Sequence, residues 1–125
     1  MDTTRAVKTV LVCEDEESLR ELIRVSLGSG FRVLEAADYD TALALAEANR
    51  PDLVVLDLVL EGRSGFDVLE ALRGDARTSE TPVLVISASS DVDAHVLRAG
   101  ADRFLSKPFD PEELRLLVLR MLGGR

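Results

Sequence analysis

The stretch Leu53-Val54-Val55-Leu56-Asp57 is the clearest indication of the fold of this chain, because it places one acidic residue directly after four apolar ones. A short apolar run rich in valine is typical of a strand that is buried on both faces of a parallel sheet. Residues 10–13 and 83–86 have the same character. These three runs predict the central strands of a parallel sheet, with Asp57 at a carboxyl end.

Amphipathic segments alternate with the predicted strands. Asp38 is a candidate N-cap, and Gly28-Ser29-Gly30 is a candidate helix end. The predicted helices lie over about 19–27, 40–48, 65–73, 91–99 and from Pro111 onward, and two further strands lie over 31–36 and 103–106. Five βα units in series predict an α/β fold, a doubly wound five-stranded parallel sheet with five helices. The flavodoxin-like strand order 2-1-3-4-5 is common at this length, but the sequence alone leaves the order open.

Length and charge limit the possible functions. The 125 residues predict one domain over 1–125, with its core at about 9–122. The net charge of −8 argues against direct nucleic-acid binding, and the apolar runs are too short to span a membrane. Cys13 is the only cysteine, so an intramolecular disulfide is impossible and a cytoplasmic location fits.

Polar residues stand at the carboxyl ends of the predicted strands, where open α/β sheets bind their ligands. Glu14 and Asp15 follow the first strand, Asp57 ends the third, Ser87 ends the fourth and Lys107 follows the fifth. Three carboxylates in one cleft repel each other unless a cation lies between them. Oxygen ligands without His or Cys favour a hard ion, and Mg²⁺ suits a few carboxylates combined with a phosphate. Lys107 adds a positive charge that can pair with a carboxylate or a phosphoryl oxygen.

Four fragments in this order resemble the receiver domain of two-component response regulators. They are Val12-Cys13-Glu14-Asp15-Glu16, Leu56-Asp57 with Gly65 eight residues on, Ile86-Ser87-Ala88, and Phe104-Leu105-Ser106-Lys107-Pro108-Phe109. The resemblance covers roughly residues 9–122 in the family's spacing. Each fragment alone is weak evidence, whereas the set in one frame is specific.

The resemblance implies a chemical role for each of these positions. Asp57 would be the phosphoacceptor, which takes a phosphoryl group from the phosphohistidine of a sensor histidine kinase or a phosphotransfer protein. Asp15 would be a direct ligand of Mg²⁺ (or Mn²⁺), Glu14 would hold the metal through water, and the backbone carbonyl of Val59 would be a further ligand. Lys107 would sense the phosphoryl group. The family acts as a signalling switch rather than an enzyme that turns over a substrate.

The resemblance also implies a conformational switch. Ser87 and Phe104 would form the switch pair, and phosphorylation would alter the face made by the fourth helix, fifth strand and fifth helix. A cis peptide bond between Lys107 and Pro108 is expected as well. Read by itself, Phe104 is most simply a core residue. The downstream effector or output domain is not indicated.

Two departures from the family's pattern matter for the site. One concerns the shape of a loop, and the other concerns the lifetime of the phosphorylated state. Glu61 stands where the family often has proline, so the loop between Asp57 and Gly65 is expected to differ in shape from that of relatives. Val59 and Ser89 would flank the phosphoryl group, so the lifetime of the phosphorylated state is not carried over from relatives.

Three other classes of protein share parts of this pattern. An FMN-binding module would need a Ser/Thr/Gly-rich loop after the first strand, where this chain has Glu14–Glu17. A haloacid-dehalogenase-type phosphatase would need an Asp at position 59, where this chain has valine. A receiver that works as a phosphorylation-independent interaction module has the same fold, and that alternative stays open.

Overall fold

The structure is a computed structural model that describes residues 7–60, 63–88 and 93–123. The strands are β1 (Thr9–Cys13), β2 (Arg32–Ala36), β3 (Leu53–Asp57), β4 (Val83–Ser87) and β5 (Arg103–Ser106). The helices are α1 (Glu17–Leu27), α2 (Tyr39–Asn49), α3 (Gly65–Gly74), α4 (Asp93–Arg98) and α5 (Pro111–Gly123). No helix in these ranges is long and apolar enough to cross a membrane.

All neighbouring strands of the sheet are parallel, and their order is β2-β1-β3-β4-β5. The predicted doubly wound, flavodoxin-like fold is therefore confirmed. After β1 the chain adds β2 on one side of the sheet and then β3 on the other side. This change of side creates the cleft between β1 and β3 where such folds bind ligands.

The three central strands are buried along their whole length. Their side chains alternate between two core clusters, one toward α2, α3 and α4 and the other toward α1 and α5. Leu56 and Val85 belong to the first cluster, whereas Val55 and Ile86 belong to the second. Because both faces are covered, these strands have a continuous apolar sequence rather than an alternating one.

The helix ends follow the local sequence. The side chain of Asp38 accepts a hydrogen bond of 2.8 Å from the Thr41 N–H, which confirms the predicted N-cap of α2. Gly28 and Gly100 follow α1 and α4 with φ angles of 82° and 113°, which favour glycine. α4 ends at Arg98, one residue before the predicted end, and its expected first residues 91 and 92 lie outside the described residues.

Candidate active site

The strand ends bring the predicted polar residues to one edge of the sheet. In register, Cys13 of β1 lies opposite Leu56 of β3, so Glu14 and Asp57 end neighbouring strands at the same level. Both carboxylates lie below the surface, with Glu14 2 % and Asp57 3 % exposed. Two acidic side chains are thus buried side by side at the predicted ligand edge.

Both oxygens of the Asp57 carboxylate have a hydrogen-bond donor. Oδ1 accepts a hydrogen bond of 2.8 Å from the backbone N–H of Val59, and Oδ2 accepts one from Nζ of Lys107. The backbone N–H of Lys107 in turn donates to the Ser87 carbonyl at 2.8 Å, which fixes the lysine beside β4. The peptide bond between Lys107 and Pro108 is cis, as the resemblance implied. Each carboxylate oxygen keeps a second lone pair for a further ligand.

Only one oxygen of the Glu14 carboxylate accepts a hydrogen bond from the described residues. Oε2 accepts a hydrogen bond of 2.9 Å from the Glu16 N–H. Oε1 is buried without a hydrogen-bond partner among the described residues, and it lies 4.0 Å from Nζ of Lys107. Burial and, second, the neighbouring Asp57 carboxylate raise the pKa of Glu14 to about 8, although the Glu16 N–H and the Lys107 charge act in the opposite direction.

Asp15 is placed differently from its neighbour. It is exposed, whereas Glu14 is buried. Within the described ranges, no three Asp, Glu, His or Cys side chains already form a metal-binding group. The structure therefore brings two of the three predicted carboxylates together and leaves Asp15 facing solvent.

The site offers the oxygen donors that a hard divalent cation binds. Glu14 Oε1 is a buried carboxyl oxygen without a hydrogen bond from the described residues, which is costly unless a cation or an ordered water faces it. Mg²⁺ keeps several waters and takes one or two carboxylates rather than a complete protein cage. Two buried carboxylates beside the exposed Asp15 fit that requirement.

The loop after β3 is held close to the site. Val59 forms an antiparallel bridge with Ser64, and the Gly65 N–H donates to the Leu58 carbonyl at 2.8 Å. A Cβ atom on Gly65 would lie 2.6 Å from Cα of Leu58 and also collide with the Asp57 carbonyl oxygen. Sequence reasoning included Gly65 in a motif but gave no reason for it; the reason is this close approach. Glu61 lies outside the described residues.

Ser87 and Phe104 lie on neighbouring strands, but not directly opposite each other. Ser87 is opposite Ser106, whereas Phe104 is opposite Val85, two residues nearer the start of β4. Ser87 is 8 % exposed, and the ring of Phe104 is partly buried against the core cluster toward α2, α3 and α4. The two residues are therefore diagonal neighbours. Ser89 lies outside the described residues.

One contact at the site was not predicted. The Arg20 guanidinium of α1 donates a hydrogen bond of 2.8 Å to the backbone carbonyl of Glu14. A charged residue on an amphipathic helix is normally solvated, so the sequence held no signal for this contact.

Comparisons with known proteins identify the family of this chain. The family model of the response regulator receiver domain matches residues 10–119. The phosphate regulon transcriptional regulatory protein PhoB of Pseudomonas aeruginosa is 38% identical over 122 residues, which are 93% of this chain and 53% of PhoB. The DNA-binding response regulator MtrA of Mycolicibacterium smegmatis is 42% identical over 117 residues, which are 91% of this chain and 49% of MtrA.

A solved structure is similar over almost the whole chain. The crystal structure of a putative response regulator from Chloroflexus aurantiacus has a TM-score of 0.89 and 29% identity, and the match covers 94% of this chain and 99% of that one. By contrast, this chain spans about half the length of the curated relatives. The family model matches most of the chain and the strand order is the one that was predicted, and the chain belongs to the response regulator receiver domain family.

Proposed function

We propose that this receiver domain accepts a phosphoryl group on Asp57 from the phosphohistidine of a sensor histidine kinase or a phosphotransfer protein. The observation that carries the proposal is the Asp57 carboxylate, buried at the end of β3 and held between the Val59 N–H and Lys107. A second buried carboxylate, Glu14, lies beside it.

The reaction needs a positioned nucleophile and compensation of negative charge. A carboxylate oxygen of Asp57 attacks the phosphorus atom, and the bond from phosphorus to the imidazole nitrogen of the donor breaks. The imidazole takes a proton from solvent, and Asp57 carries an acyl phosphate. Charge is spread over the equatorial phosphoryl oxygens in the transition state, and the Lys107 ammonium, already beside Oδ2, pairs with one of them.

We infer that Mg²⁺ binds at the same edge, with Mn²⁺ as a substitute, since both favour oxygen ligands. Asp57 and Asp15 would bind it directly, Glu14 would bind through water, and the Val59 carbonyl would complete the protein ligands. The orphaned Oε1 of Glu14 supports this assignment. When bound, the cation would neutralise the negative charge of the carboxylates and of the phosphoryl oxygens.

The signal would pass from Asp57 to the surface through Ser87 and Phe104. A phosphoryl oxygen accepts a hydrogen bond from the Ser87 hydroxyl, and the ring of Phe104 then moves toward the space that Ser87 leaves. Phe104 is only partly buried, so core contacts do not enclose the whole ring. The shift alters the face of α4, β5 and α5, which is a population shift between two arrangements. The net charge of −8 disfavours direct nucleic-acid binding by these residues.

A phosphodonor assay tests the proposal. The protein is incubated with acetyl phosphate, with Mg²⁺ or with EDTA, and its intact mass is measured. We expect the mass of one phosphoryl group to be gained only with Mg²⁺. Asp57→Asn should abolish the gain, and Asp40→Asn, which changes an exposed aspartate of α2, should not. A wild-type protein that gains no phosphoryl mass would instead favour a phosphorylation-independent interaction module.

A further inference from the structure

Arg20 makes two directional contacts near the site although no predicted role includes it. Its Nη1 donates to the Glu14 carbonyl at 2.8 Å, and its Nε donates to Oε1 of Glu35, next to the last residue of β2, at 3.0 Å. The side chain is only 18% exposed. A cation near the first turn of a helix gains nothing from the helix dipole. The position is therefore explained by these contacts rather than by the stability of α1.

The contact with Arg20 completes the fixation of the Glu14 backbone. The Glu14 N–H donates to the Ala36 carbonyl of β2 at 2.9 Å, so both backbone polar groups of Glu14 have a partner. The Glu14 carbonyl and the Asp15 N–H belong to one planar peptide unit. Holding that carbonyl therefore sets the direction in which the chain enters Asp15.

We propose that Arg20 is a positioning residue of the acidic site, which orients the Glu14–Asp15 peptide so that both carboxylates serve the same cation. The inference rests on the proposed metal site. It adds that the metal affinity depends on a side chain that is not itself a ligand. Removing an outer partner that orients a metal ligand typically weakens metal binding by about 10–100-fold.

The geometry requires arginine rather than any positive charge. Nε and Nη1 bind two different acceptors, Glu35 and Glu14, and a lysine ammonium lacks this rigid fork. The chain contains a matched control one turn later. Arg24 pairs with the same Glu35, with its Nε 3.6 Å from Oε2, and is more exposed than Arg20.

The first measurement is Mn²⁺ affinity, obtained from the free Mn²⁺ signal in electron paramagnetic resonance. Arg20→Lys and Arg20→Gln should both weaken binding by about tenfold or more. Arg24→Gln removes a similar charge from the same helix and should leave binding within about twofold of wild type. Rescue by Arg20→Lys, or equal losses in the Arg20 and Arg24 variants, would show a charge effect and overturn the proposal.

Unfolding in EDTA separates positioning from stability. If Arg20 were merely structural, its variants would lower the unfolding midpoint and leave the Mn²⁺ affinity of the folded protein unchanged. We expect the affinity to fall even in Arg20→Lys at temperatures where that variant is fully folded. An unchanged affinity would overturn the proposal.

A metal-free measurement keeps this inference distinct from the metal site itself. If neither wild type nor Glu14→Gln binds Mn²⁺, the metal assignment is wrong and the affinity test does not apply. The amide signals of Asp15 and Glu16 in EDTA then decide the orientation step. Arg20→Lys should shift both signals, and Arg24→Gln should not. Unshifted signals in Arg20→Lys would show that Arg20 does not orient the peptide.

Discussion

Nζ of Lys107 donates a hydrogen bond to Oδ2 of Asp57 and lies 4.0 Å from Oε1 of Glu14. One ammonium group is therefore shared by two buried carboxylates that end neighbouring strands. The same charge balances the carboxylates here and is close enough to reach a phosphoryl group on Asp57. This double role makes Lys107 the first residue to test.

Replacing the lysine should separate metal binding from the response to phosphorylation. Lys107→Ala should still bind Mg²⁺, because lysine is not a ligand and its charge competes with the cation. The phosphorylated variant should show small chemical-shift changes in β5 and α4, because the group that registers the phosphoryl charge is missing. Lys8→Ala, at the only other lysine of the chain, is the control and should respond like wild type. Full-sized shifts in phosphorylated Lys107→Ala would contradict the sensing role.

The switch can be observed at Phe104. Ser87→Val should remove the hydroxyl and fill the space beside β5. The ring should then stay away from position 87, while Asp57 can still be phosphorylated. A fluorine label on Phe104 should report two environments in wild type, whose populations change with the phosphoryl mimic beryllofluoride. One environment, identical with and without the mimic, would rule out the ring as the switch.

A methyl group at Gly65 should disturb the site through the backbone. The new Cβ of Gly65→Ala would collide with the Asp57 carbonyl and lie 2.6 Å from Cα of Leu58. We expect a loss of about 1–3 kcal/mol in the free energy of unfolding, measured with urea, and slower phosphorylation. Gly74→Ala is the control, because nothing lies within 4 Å of its Cβ at the exposed end of α3. It should be neutral or raise stability by up to about 1 kcal/mol. Equal stability of the two variants would contradict the close approach.

The free energy of unfolding of the metal-free protein should depend on pH through the titration of Glu14. Its pKa rises from an ordinary value of 4.5 to about 8 on folding, so the folded state binds this proton more tightly than the unfolded state. The free energy of unfolding should therefore fall as pH rises from about 4.5 to about 8. Urea unfolding in EDTA should show this slope in wild type and a weaker one in Glu14→Gln.

The same experiment includes a matched control. Glu17→Gln changes an exposed carboxylate in the first turn of α1 and should keep the wild-type slope. Saturating Mg²⁺ should reduce the slope in wild type, because the cation stabilises the charged form of Glu14. A slope that is identical in all three proteins would assign the pH dependence to other groups.

The strands could be predicted from the local sequence, as could the alternation of strands and helices and the polar residues at the strand ends. Apolar runs of strand length report burial on both faces, which is a local property of the chain. Asp57 could be predicted as a site residue because it directly ends such a run, and Lys107 because it follows the short strand predicted over 103–106. The family's motifs then supplied their roles.

The neighbours of these residues, by contrast, depend on the tertiary structure. The strand order and register place Ser106, not Phe104, opposite Ser87, and pairing partners distant in sequence leave no local periodicity. Glu14 is buried and Asp15 exposed although they are adjacent and chemically alike. The difference comes from tertiary neighbours. β2 and β3 pair with β1 on its two sides, and Arg20 contacts the backbone carbonyl of Glu14 at the end of this strand. An apolar run reports the burial of a strand, whereas the burial and the function of a polar residue at the end of that strand depend on which groups lie beside it.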